Sequence, residues 1–385
     1  MVTNDIHDRV ILIDSFAVYG FHEVFNSSIL VEASKIYQEV IYFGTKSSIA
    51  NIKKNVAPYN IDNVKFRFIP QIHGGSFIQL FIRYIFSAIL TLGLIVLSRE
   101  GDMVILNNNP FLSIIYSIVR RKIVIFCHGE MELLEQKDIG KFAKMQSYLL
   151  CLSFQNRSLR GNLRFVVLGD SILSYLKNIL PLDNYKCFCS MDHPYIFNKD
   201  EEVYVERNND EINIGIVGIT TPTKGLLELN HLLNKKMSNI HFVHIGKIND
   251  ADGTLKKKGL YIVERDVNNN LPRIEYNGWI KRMDYLLFLY PSDNYRLTAS
   301  GAIFESFSNL KPVICLENNY FKYIIGKTGD IGYVFNSVDE MISFLSHFCF
   351  DKKRYELQMD SLRKGRALFS VESQLDKFEM LTKFN

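Results

Sequence analysis

The segment YPSDNYRLTASGAIFESFSNLKPVICLE, residues 290–317, predicts the fold of this chain. An apolar run, residues 286–291, leads through a polar turn into a helix that begins at Ser300. Pro312 ends that helix, and the buried run of residues 313–316 follows it. The order strand, loop, helix, strand is typical of a parallel βαβ unit, which indicates a doubly wound α/β fold.

The start of this helix is suited to bind an anion. The first backbone N–H groups of a helix are unpaired and its dipole favours negative charge, so Ser300 and Gly301 are candidate phosphate-binding residues. Glu305 lies one turn further in, where its carboxylate can accept hydrogen bonds from sugar hydroxyl groups. The same pattern fits an ordinary βαβ unit with a solvent-facing glutamate, so the local sequence leaves both interpretations open.

Two segments of the C-terminal half resemble donor-binding motifs of GT-B glycosyltransferases, especially glycosyltransferase family four. ESFSNLKPVI, residues 305–314, is similar to the family pattern E-A-M-A-x-G-x-P-V-I. IGIVGITTPTKG, residues 214–225, is similar to V-G-R-L-x-x-x-K-G, with the same spacing between its Val-Gly and Lys-Gly pairs. The resemblance covers residues 212–336 well and the N-terminal half only in layout.

The resemblance implies a GT-B fold: two doubly wound, Rossmann-like domains that face a cleft, with a C-terminal helix that returns to the N-terminal domain. It implies that a nucleotide-sugar donor binds the second domain, with Gly218 and Lys224 at its diphosphate and Glu305 at its ribose. The loop that borders the nucleotide base in similar transferases corresponds to Trp279 and Ile280, which follow a predicted strand within residues 273–280. An isolated tryptophan is also common in protein cores.

Two positions depart from the family pattern. Ile219 replaces an arginine, and Leu297 replaces a glutamate eight positions before Glu305. Arg296 is a candidate for the missing positive charge, with a plain surface arginine as the alternative. These departures keep a second class of function open, which is a degenerate GT-B protein that binds a glycan or partner without turnover. A GT-B sugar-nucleotide epimerase is a related enzymatic alternative.

The N-terminal half alternates apolar runs with helical segments. Its six predicted strands are residues 10–13, 40–43, 65–69, 103–106, 123–127 and 165–168. Because polar side chains at strand carboxyl ends line the crevice of an open α/β sheet, we expect Gly20, His22 and Asn107 on the acceptor side. His128 and Glu130 are the predicted catalytic residues, since histidine titrates near neutrality and the carboxylate can orient it or act itself. A histidine bonded to a loop backbone is the alternative.

The chain has 385 residues, which suits two domains of about 180 residues each. We predict an acceptor-side domain at residues 1–198, a linker at 199–210 and a nucleotide-sugar-binding domain at 211–365. Residues 366–385 are the predicted C-terminal helix. In the second domain, we predict strands at residues 212–219, 241–245 and 331–335, and a short helix at 281–286.

Composition and residue spacing argue against nucleic acid, a metal ion and other cofactors as partners. The net charge of +4 and the lack of a dense Lys/Arg stripe argue against nucleic acid. The six cysteines lack zinc-ligand spacing, and the D-x-D pair Asp250 and Asp252 lies in a predicted surface turn, so we expect neither a metal nor another cofactor. No secretory signal begins the chain, and a reduced, cytoplasmic location is expected.

The segment Phe77–Leu97 contains 21 residues and one charge, Arg83, so by length it could span a bilayer. A charge at the bilayer centre is costly, and the segment lies between two predicted strands, where a doubly wound domain needs a crossover helix. We therefore expect a helix half buried in the domain and half pressed on a membrane surface. The basic run at residues 120–122 would assist binding to anionic lipid.

The sequence thus predicts glycosyl transfer from a nucleotide sugar, a UDP-sugar, to a hydroxyl of a glycan or lipid-linked glycan. The expected setting is bacterial capsule, exopolysaccharide or lipopolysaccharide synthesis, at the inner face of the cell membrane. Similarity to family four implies retention of anomeric configuration, whereas His128 or Glu130 as general base would suit inversion. The stereochemistry therefore stays open.

Overall fold

The structure, a computed structural model, describes residues 7–17, 22–72, 77–107, 110–136, 140–197, 211–263, 271–293 and 295–384. The chain forms two compact units. Unit one contains Met1–Ile196, Leu297–Ala299 and Phe369–Asn385, and unit two contains Phe197–Arg296 and Ser300–Leu368. The predicted linker, residues 199–210, lies outside the described residues.

Unit one is built on a parallel sheet. Its strands are β1 (His7–Ile13), β2 (Tyr37–Gly44), β3 (Val64–Phe68), β4 (Met103–Leu106), β5 (Lys122–Cys127), β6 (Leu163–Val167) and β7 (Phe188–Ser190). Their order is β3-β2-β1-β4-β5-β6-β7, and every neighbouring pair is parallel. The direction of winding reverses between β1 and β4, which is where doubly wound sheets bind ligands.

Helices supply the remaining structure of unit one. They are α1 (Glu23–Ile36), α2 (Lys46–Val56), α3 (Phe77–Leu97), α4 (Ser113–Tyr116), α5 (Lys141–Phe154), α6 (Asp170–Leu176), α7 (Leu182–Tyr185) and the C-terminal α15 (Val371–Thr382). The central strands are buried almost completely, as in Val10, Ile105 and Val124, which explains why they read as unbroken apolar runs. The C-terminal helix α15 packs on α1 through a core that includes Phe378.

Unit two repeats the plan with six parallel strands. They are β8 (Ile212–Thr220), β9 (Ile240–Ile248), β10 (Tyr261–Ile262), β11 (Tyr285–Phe288), β12 (Val313–Leu316) and β13 (Gly332–Phe335), in the order β10-β9-β8-β11-β12-β13. Its helices are α8 (Leu226–Leu232), α9 (Thr254–Lys257), α10 (Arg273–Lys281), α11 (Phe304–Asn309), α12 (Asn319–Thr328), α13 (Val338–Leu345) and α14 (Lys352–Phe369). The winding reverses between β8 and β11. Two parallel-sheet Rossmann-like units confirm the predicted fold class.

Two predicted elements of unit two are wrong. Residues 273–280 form the helix α10 instead of a strand, and the third strand is β10. Pro272 stands immediately before the first turn of α10, where its fixed φ favours helix initiation, and Asn277-Gly278 lies in the helix interior instead of forming a turn. Ile274, which a strand would place in the sheet, is 90% exposed. The predicted helix at residues 281–286 is also wrong, because α10 ends at Lys281 and β11 begins at Tyr285.

The long helix α3 has the predicted bounds, Phe77–Leu97. Its window Ile78–Leu97, with a mean hydropathy of 2.3, is long and apolar enough to cross a membrane by length and composition, and 22% of that window is buried. The elements that were missed include the helix α2, which begins after the capping residue Thr45, the helices α5 and α12, and the short strand β7.

Candidate functional site

Polar residues follow three neighbouring strands of unit one. Asp14 comes directly after β1, Asn107 after β4 and His128 after β5. These strands pair in parallel, so their carboxyl ends share one edge of the sheet, at and beside the switch point. We call the group formed by Asp14, His22, Asn26, Asn107, His128 and Glu130 the strand-end cluster.

Asp14 is the centre of this cluster and is fully buried. Its Oδ2 lies 3.3 Å from His22 Nδ1 and accepts a hydrogen bond of 2.8 Å from Asn26 Nδ2, while Oδ1 accepts one of 2.9 Å from Ala17 N–H. Burial opposes ionisation, but the hydrogen bond and charge of His22, with the bonds from Asn26 and Ala17, lower the pKa of Asp14. Asp14 is therefore a carboxylate at neutral pH.

Asp14 in turn controls His22. Burial disfavours the charged ring, yet the hydrogen bond and charge of Asp14, with the charge of Glu130, raise the pKa of His22 above its ordinary value. A carboxylate accepts the Nδ1–H of the neutral ring, which leaves the lone pair on Nε2. His22 has φ 55°, a left-handed conformation that is uncommon outside glycine and often marks functional sites.

The His128 ring stacks on the His22 ring with a centroid distance of 4.3 Å. Burial, followed by the charges of His22 and His193, holds the pKa of His128 well below its ordinary value, so this ring is neutral at neutral pH. Glu130 Oε1 accepts a hydrogen bond of 3.0 Å from the His128 backbone N–H, and burial raises the pKa of Glu130. The predicted catalytic residues thus lie together, and the described bond between them runs through the backbone.

Asn107 completes the cluster. Its Nδ2 donates to Asn26 Oδ1, and Asn26 Nδ2 donates to Asp14. Two buried atoms of the cluster, Asn107 Oδ1 and His128 Nε2, have no hydrogen-bond partner among the described residues. Buried polar atoms rarely remain unpaired, so both are positions where a bound hydroxyl would be satisfied. Gly20, also predicted here, lies outside the described residues.

Sequence reasoning missed Asp14 and Asn26. Asp14 carried a usable signal, because it is the first polar residue after a buried strand. Asn26 carried no usable signal, since it lies inside the helix α1 and its role depends on the tertiary contact with Asp14.

In unit two, the turn after β8 presents Lys224. A short 3₁₀ helix, Pro222–Lys224, is followed by Gly225 with φ 85°, and a Cβ at Gly225 would lie 2.3 Å from the carbonyl oxygen of Leu289. Lys224 is exposed at this turn. Gly218 lies in β8, opposite Gly246 of β9. Because β8 and β11 are the strands at the switch point, Lys224 lies at the sheet edge where α/β folds bind ligands.

Glu305 is buried, so the alternative of a solvent-facing glutamate is wrong. Arg273, the first residue of α10, donates from Nη1 to Glu305 Oε1 at 2.8 Å and from Nη2 to Oε2 at 3.0 Å. This two-pronged pair fixes the plane of the carboxylate. Ser300 precedes a 3₁₀ turn, Gly301–Ile303, that leads into α11 and Glu305. Arg273 was missed, because the strand interpretation of residues 273–280 hid its place at a helix start.

The other predicted donor residues lie in different surroundings. Arg296 is half-buried and pairs with Asp293 at 2.8 Å. Ile280 is completely buried in α10, which places it in the core. Trp279 packs against Tyr261 with a centroid distance of 5.6 Å. It also lines a cavity of about 430 Å³ that is bordered by Lys256, Leu260, Tyr261, Ile262, Val263 and Glu275. Within the described ranges there is no group of three or more His, Cys, Asp or Glu arranged to hold a metal ion.

Comparison with known proteins identifies the fold. No protein-family model matches the chain, and no curated protein matches it either. Among solved structures, Anabaena HepE in complex with UDP and glucose is similar, with a TM-score of 0.64, 12% identity and coverage of 97% of this chain and 99% of that one. The catalytic domain of Arabidopsis thaliana starch synthase IV, bound to ADP and acarbose, has a TM-score of 0.62, 11% identity and 98% coverage of both chains.

A third similar structure is the lipopolysaccharide outer core galactosyltransferase WaaB, with a TM-score of 0.60, 12% identity and coverage of 97% of this chain and 98% of that one. Identities this low establish the fold and leave the family unassigned. The chain has the fold of the GT-B glycosyltransferases.

Proposed function

We propose that this protein is a glycosyltransferase that moves a sugar from a UDP-sugar to a hydroxyl of a glycan or lipid-linked glycan. The observation that carries the proposal is the buried Glu305, fixed by Arg273 at the position of the ribose-binding glutamate of family four. A fixed carboxylate is suited to accept hydrogen bonds from two ribose hydroxyls. The HepE structures, which contain UDP or UDP-glucose, support the choice of nucleotide.

The energetic problem of this reaction is the negative charge that develops on the leaving diphosphate. In our proposal Lys224 stabilises that charge beside Gly218, with the backbone N–H groups after Ser300 and the guanidinium of Arg296 as further donors. Lys224 is exposed as a residue in the turn after β8, although partial burial lowers the pKa of its ammonium group. We propose that these cationic and N–H groups act without a metal ion.

The strand-end cluster supplies the acceptor chemistry in this proposal. His22, held by Asp14, is the general base that takes the proton of the attacking hydroxyl, and His128 Nε2 and Asn107 hydrogen-bond the acceptor. The raised pKa of His22 suits a ring that accepts a proton, so we assign it the role of base. The pKa of His128 lies well below its ordinary value, so its neutral ring is assigned to acceptor binding. A base of this kind suits inversion, so the anomer of the product tests the assignment directly.

We place the reaction in bacterial capsule, exopolysaccharide or lipopolysaccharide synthesis, in the cytoplasm at the inner face of the cell membrane. The similarity to a lipopolysaccharide outer core galactosyltransferase supports this class of acceptor. A non-catalytic GT-B binding protein is the second candidate, because Ile219 and the buried Leu297 stand where family four has an arginine and a glutamate. An epimerase is the third.

The first test is calorimetric titration of UDP, GDP and CMP into the protein, with and without Mg²⁺. We expect UDP to bind independently of Mg²⁺, and Glu305→Ala and Lys224→Ala to lose that binding, while the exposed helix variant Arg363→Ala keeps it. Absence of binding by every nucleotide would contradict the donor site and favour the non-catalytic candidate. Where UDP binds, UDP-sugar turnover that depends on an added acceptor separates a transferase from an epimerase.

A further inference from the structure

The polarity of α3 is largely the reverse of what a helix of a soluble domain shows, because its polar side chains face inward from Arg83 onward, although Gln79 in the first turn is exposed. Ser87 and Thr91 are buried against unit one, where Ser15 Oγ shares hydrogen bonds with Ser87 Oγ at 2.5 Å and Thr91 Oγ1 at 2.8 Å. Tyr84 and Ile95 lie on the same buried line. An ordinary amphipathic helix turns its apolar stripe toward the core and its polar face toward water.

The single charge of α3 also turns toward the protein. Arg83 Nη2 donates to the carbonyl oxygen of Phe16 at 2.5 Å, and its guanidinium lies 4.4 Å from the centre of the Phe16 ring. The charge therefore does not interrupt the outward face of the helix.

The outward face is a continuous aliphatic line. It contains Ile78, Ile82, Ile85, Ile89 and Val96, which are 44–68% exposed and recur at spacings of three, four and seven residues. The helix α4 contacts α3 and contains the exposed Ile115, and the exposed Ile118 follows two residues after the end of α4. We call these seven residues the isoleucine face. Soluble proteins rarely leave an apolar line of this length uncovered, so the face indicates a binding surface.

Exposed basic residues lie at the C-terminal end of α3. Arg121 donates from Nη2 to the carbonyl oxygen of Ser98 at 2.9 Å, which ties the segment before β5 to this helix end. Its neighbours Arg120 and Lys122 are exposed, as is Arg99, and within residues 98–102 and 120–122 the exposed acidic residue is Glu100. This end of the isoleucine face therefore carries positive charge that complements an anionic surface.

We propose that the isoleucine face docks unit one on an anionic membrane surface, with α3 lying in the interface. A lipid surface fits better than a protein partner because the exposed described side chains of this ~30 Å helix are aliphatic apart from Gln79 and Phe81, whereas protein interfaces carry more aromatic and hydrogen-bonding groups. A membrane-spanning α3 does not fit, since β3 and β4, which it connects, belong to one parallel sheet and its inward side chains bond to that unit.

Membrane docking would place the enzyme beside a lipid-linked acceptor, and this part of the proposal rests on the proposed function. A transferase held at the membrane would meet a lipid-linked acceptor there. Docking itself is a separate property, because it involves residues outside the strand-end cluster and outside the donor unit, and it is measurable without nucleotide or sugar.

The experiment is flotation of the full-length protein with vesicles of phosphatidylethanolamine and phosphatidylglycerol, compared with phosphatidylcholine vesicles. We expect the protein to float with the anionic vesicles and to bind less at about 0.5 M salt. Ile89→Glu should weaken binding roughly tenfold or more, since it places a charge in the apolar contact. The matched control is Leu357→Glu on α14, because Ile89 and Leu357 are both 66% exposed. The pair Arg120→Glu and Lys122→Glu should weaken binding to anionic vesicles selectively.

Two results would overturn the inference: a wild-type protein that floats with neither kind of vesicle, or equal binding by Ile89→Glu and Leu357→Glu. A wild-type dimer in light scattering that Ile89→Glu converts to a monomer, without vesicle binding, would assign the face to a second copy of the chain instead. UDP titration on the same samples keeps the two proposals apart. Vesicle binding without UDP binding supports membrane docking and contradicts the proposed transferase function. UDP binding without vesicle binding supports the transferase function and contradicts membrane docking.

Discussion

Asp14 and His22 form the best-defined candidate catalytic pair of unit one. The buried Asp14 carboxylate lies 3.3 Å from His22 Nδ1, and the same cluster contains two buried polar atoms without a described hydrogen-bond partner. Asp14→Asn preserves the shape of the side chain and removes its charge. We expect transfer to fall about 100-fold or more, since the amide no longer enforces the basic tautomer. The acid limb of the pH–rate profile should move to lower pH, because Asp14 raises the pKa of His22 and its loss lowers that pKa.

The control for this prediction is UDP affinity, which should stay unchanged because Asp14 belongs to unit one. An Asp14→Asn enzyme with the wild-type acid limb would show that His22 is not the base. In that case the same profile measured on His128→Gln and Glu130→Gln would test the roles that the sequence assigned to those residues.

Arg273 is the second residue whose role follows from geometry. Arg273→Met removes the guanidinium group whose two hydrogen bonds orient the Glu305 carboxylate. We therefore expect UDP binding to weaken by about tenfold. We also expect a smaller preference for UDP over 2′-deoxy-UDP, since a carboxylate that is no longer fixed reads the ribose hydroxyls less well. Titration of both nucleotides measures the two effects together.

Arg363→Met is the matched control, because Arg363 is an exposed helix arginine of unit two that pairs with Asp360 at 2.6 Å. Tighter UDP binding by Arg273→Met would mean that the fork competes with ribose instead of preparing Glu305 for it. Arg273→Lys should recover little, since an ammonium group cannot donate to both carboxylate oxygens in the fork geometry.

At the scale of elements, the packing of α1 in unit one contains a buried carboxylate. Both oxygens of Glu32 are buried and have no hydrogen-bond partner among the described residues. Burial raises the pKa of Glu32 well above its ordinary value, and the charge of Glu372 on α15 adds to the rise against the opposing charge of Lys35. The protonated acid is the form that the fold favours.

A raised folded-state pKa means that the contribution of Glu32 to stability is complete below its ordinary pKa and is lost as pH rises through the folded-state value. Glu32→Gln remains neutral, so we expect the variant to be as stable as the wild type in acid and more stable at neutral and alkaline pH. Thermal denaturation across this pH range measures the difference. Glu356→Gln, at an exposed position of α14, should leave the pH dependence unchanged.

The turn from β8 to α8 depends on Gly225. An alanine there would need a left-handed φ and would bring its Cβ to 2.3 Å from the carbonyl oxygen of Leu289, so the turn must shift. We expect Gly225→Ala to cost more than the ~1–2 kcal/mol of the backbone conformation alone, and to weaken UDP binding by moving Lys224. Chemical denaturation and titration give the two numbers.

Gly253→Ala separates the cost of the left-handed φ from the cost of the steric clash, since Gly253 has φ 68° and a Cβ there would enter open space. It should show the cost of the backbone conformation without the clash. Equal destabilisation by the two alanines would show that the turn at Gly225 relaxes freely.

At the scale of the whole molecule, the two units are expected to respond differently to the donor. Saturation with UDP at about 100 times its Kd should raise stability by ~2.7 kcal/mol. Hydrogen exchange should slow in the turn and helix after β8 and in α11, whereas the strand-end cluster of unit one should change little. Protection confined to unit one would contradict the assignment of the donor to unit two.

Much of this architecture could be predicted, because strands buried on both faces leave unbroken apolar runs and parallel strands require crossover helices. The bounds of α3 and β4 were predicted to the residue. Failure came where local signals disagreed with the fold: Asn277-Gly278 reads as a turn, yet α10 continues through it. The turn propensity of Asn-Gly is only a weak preference, and burial of Ile280 in the core favours the helix instead.

Local sequence dictates the alternation of strands and helices, the carboxyl ends of the central strands and the apolar character of α3, because these are properties of neighbouring residues. Tertiary structure decided which distant residues meet. It joined Asp14 to Asn26 and Asn107, gave Glu305 its partner Arg273, and turned the polar side of α3 inward. Such pairings depend on strand order and helix rotation, and the packing of the whole unit sets both.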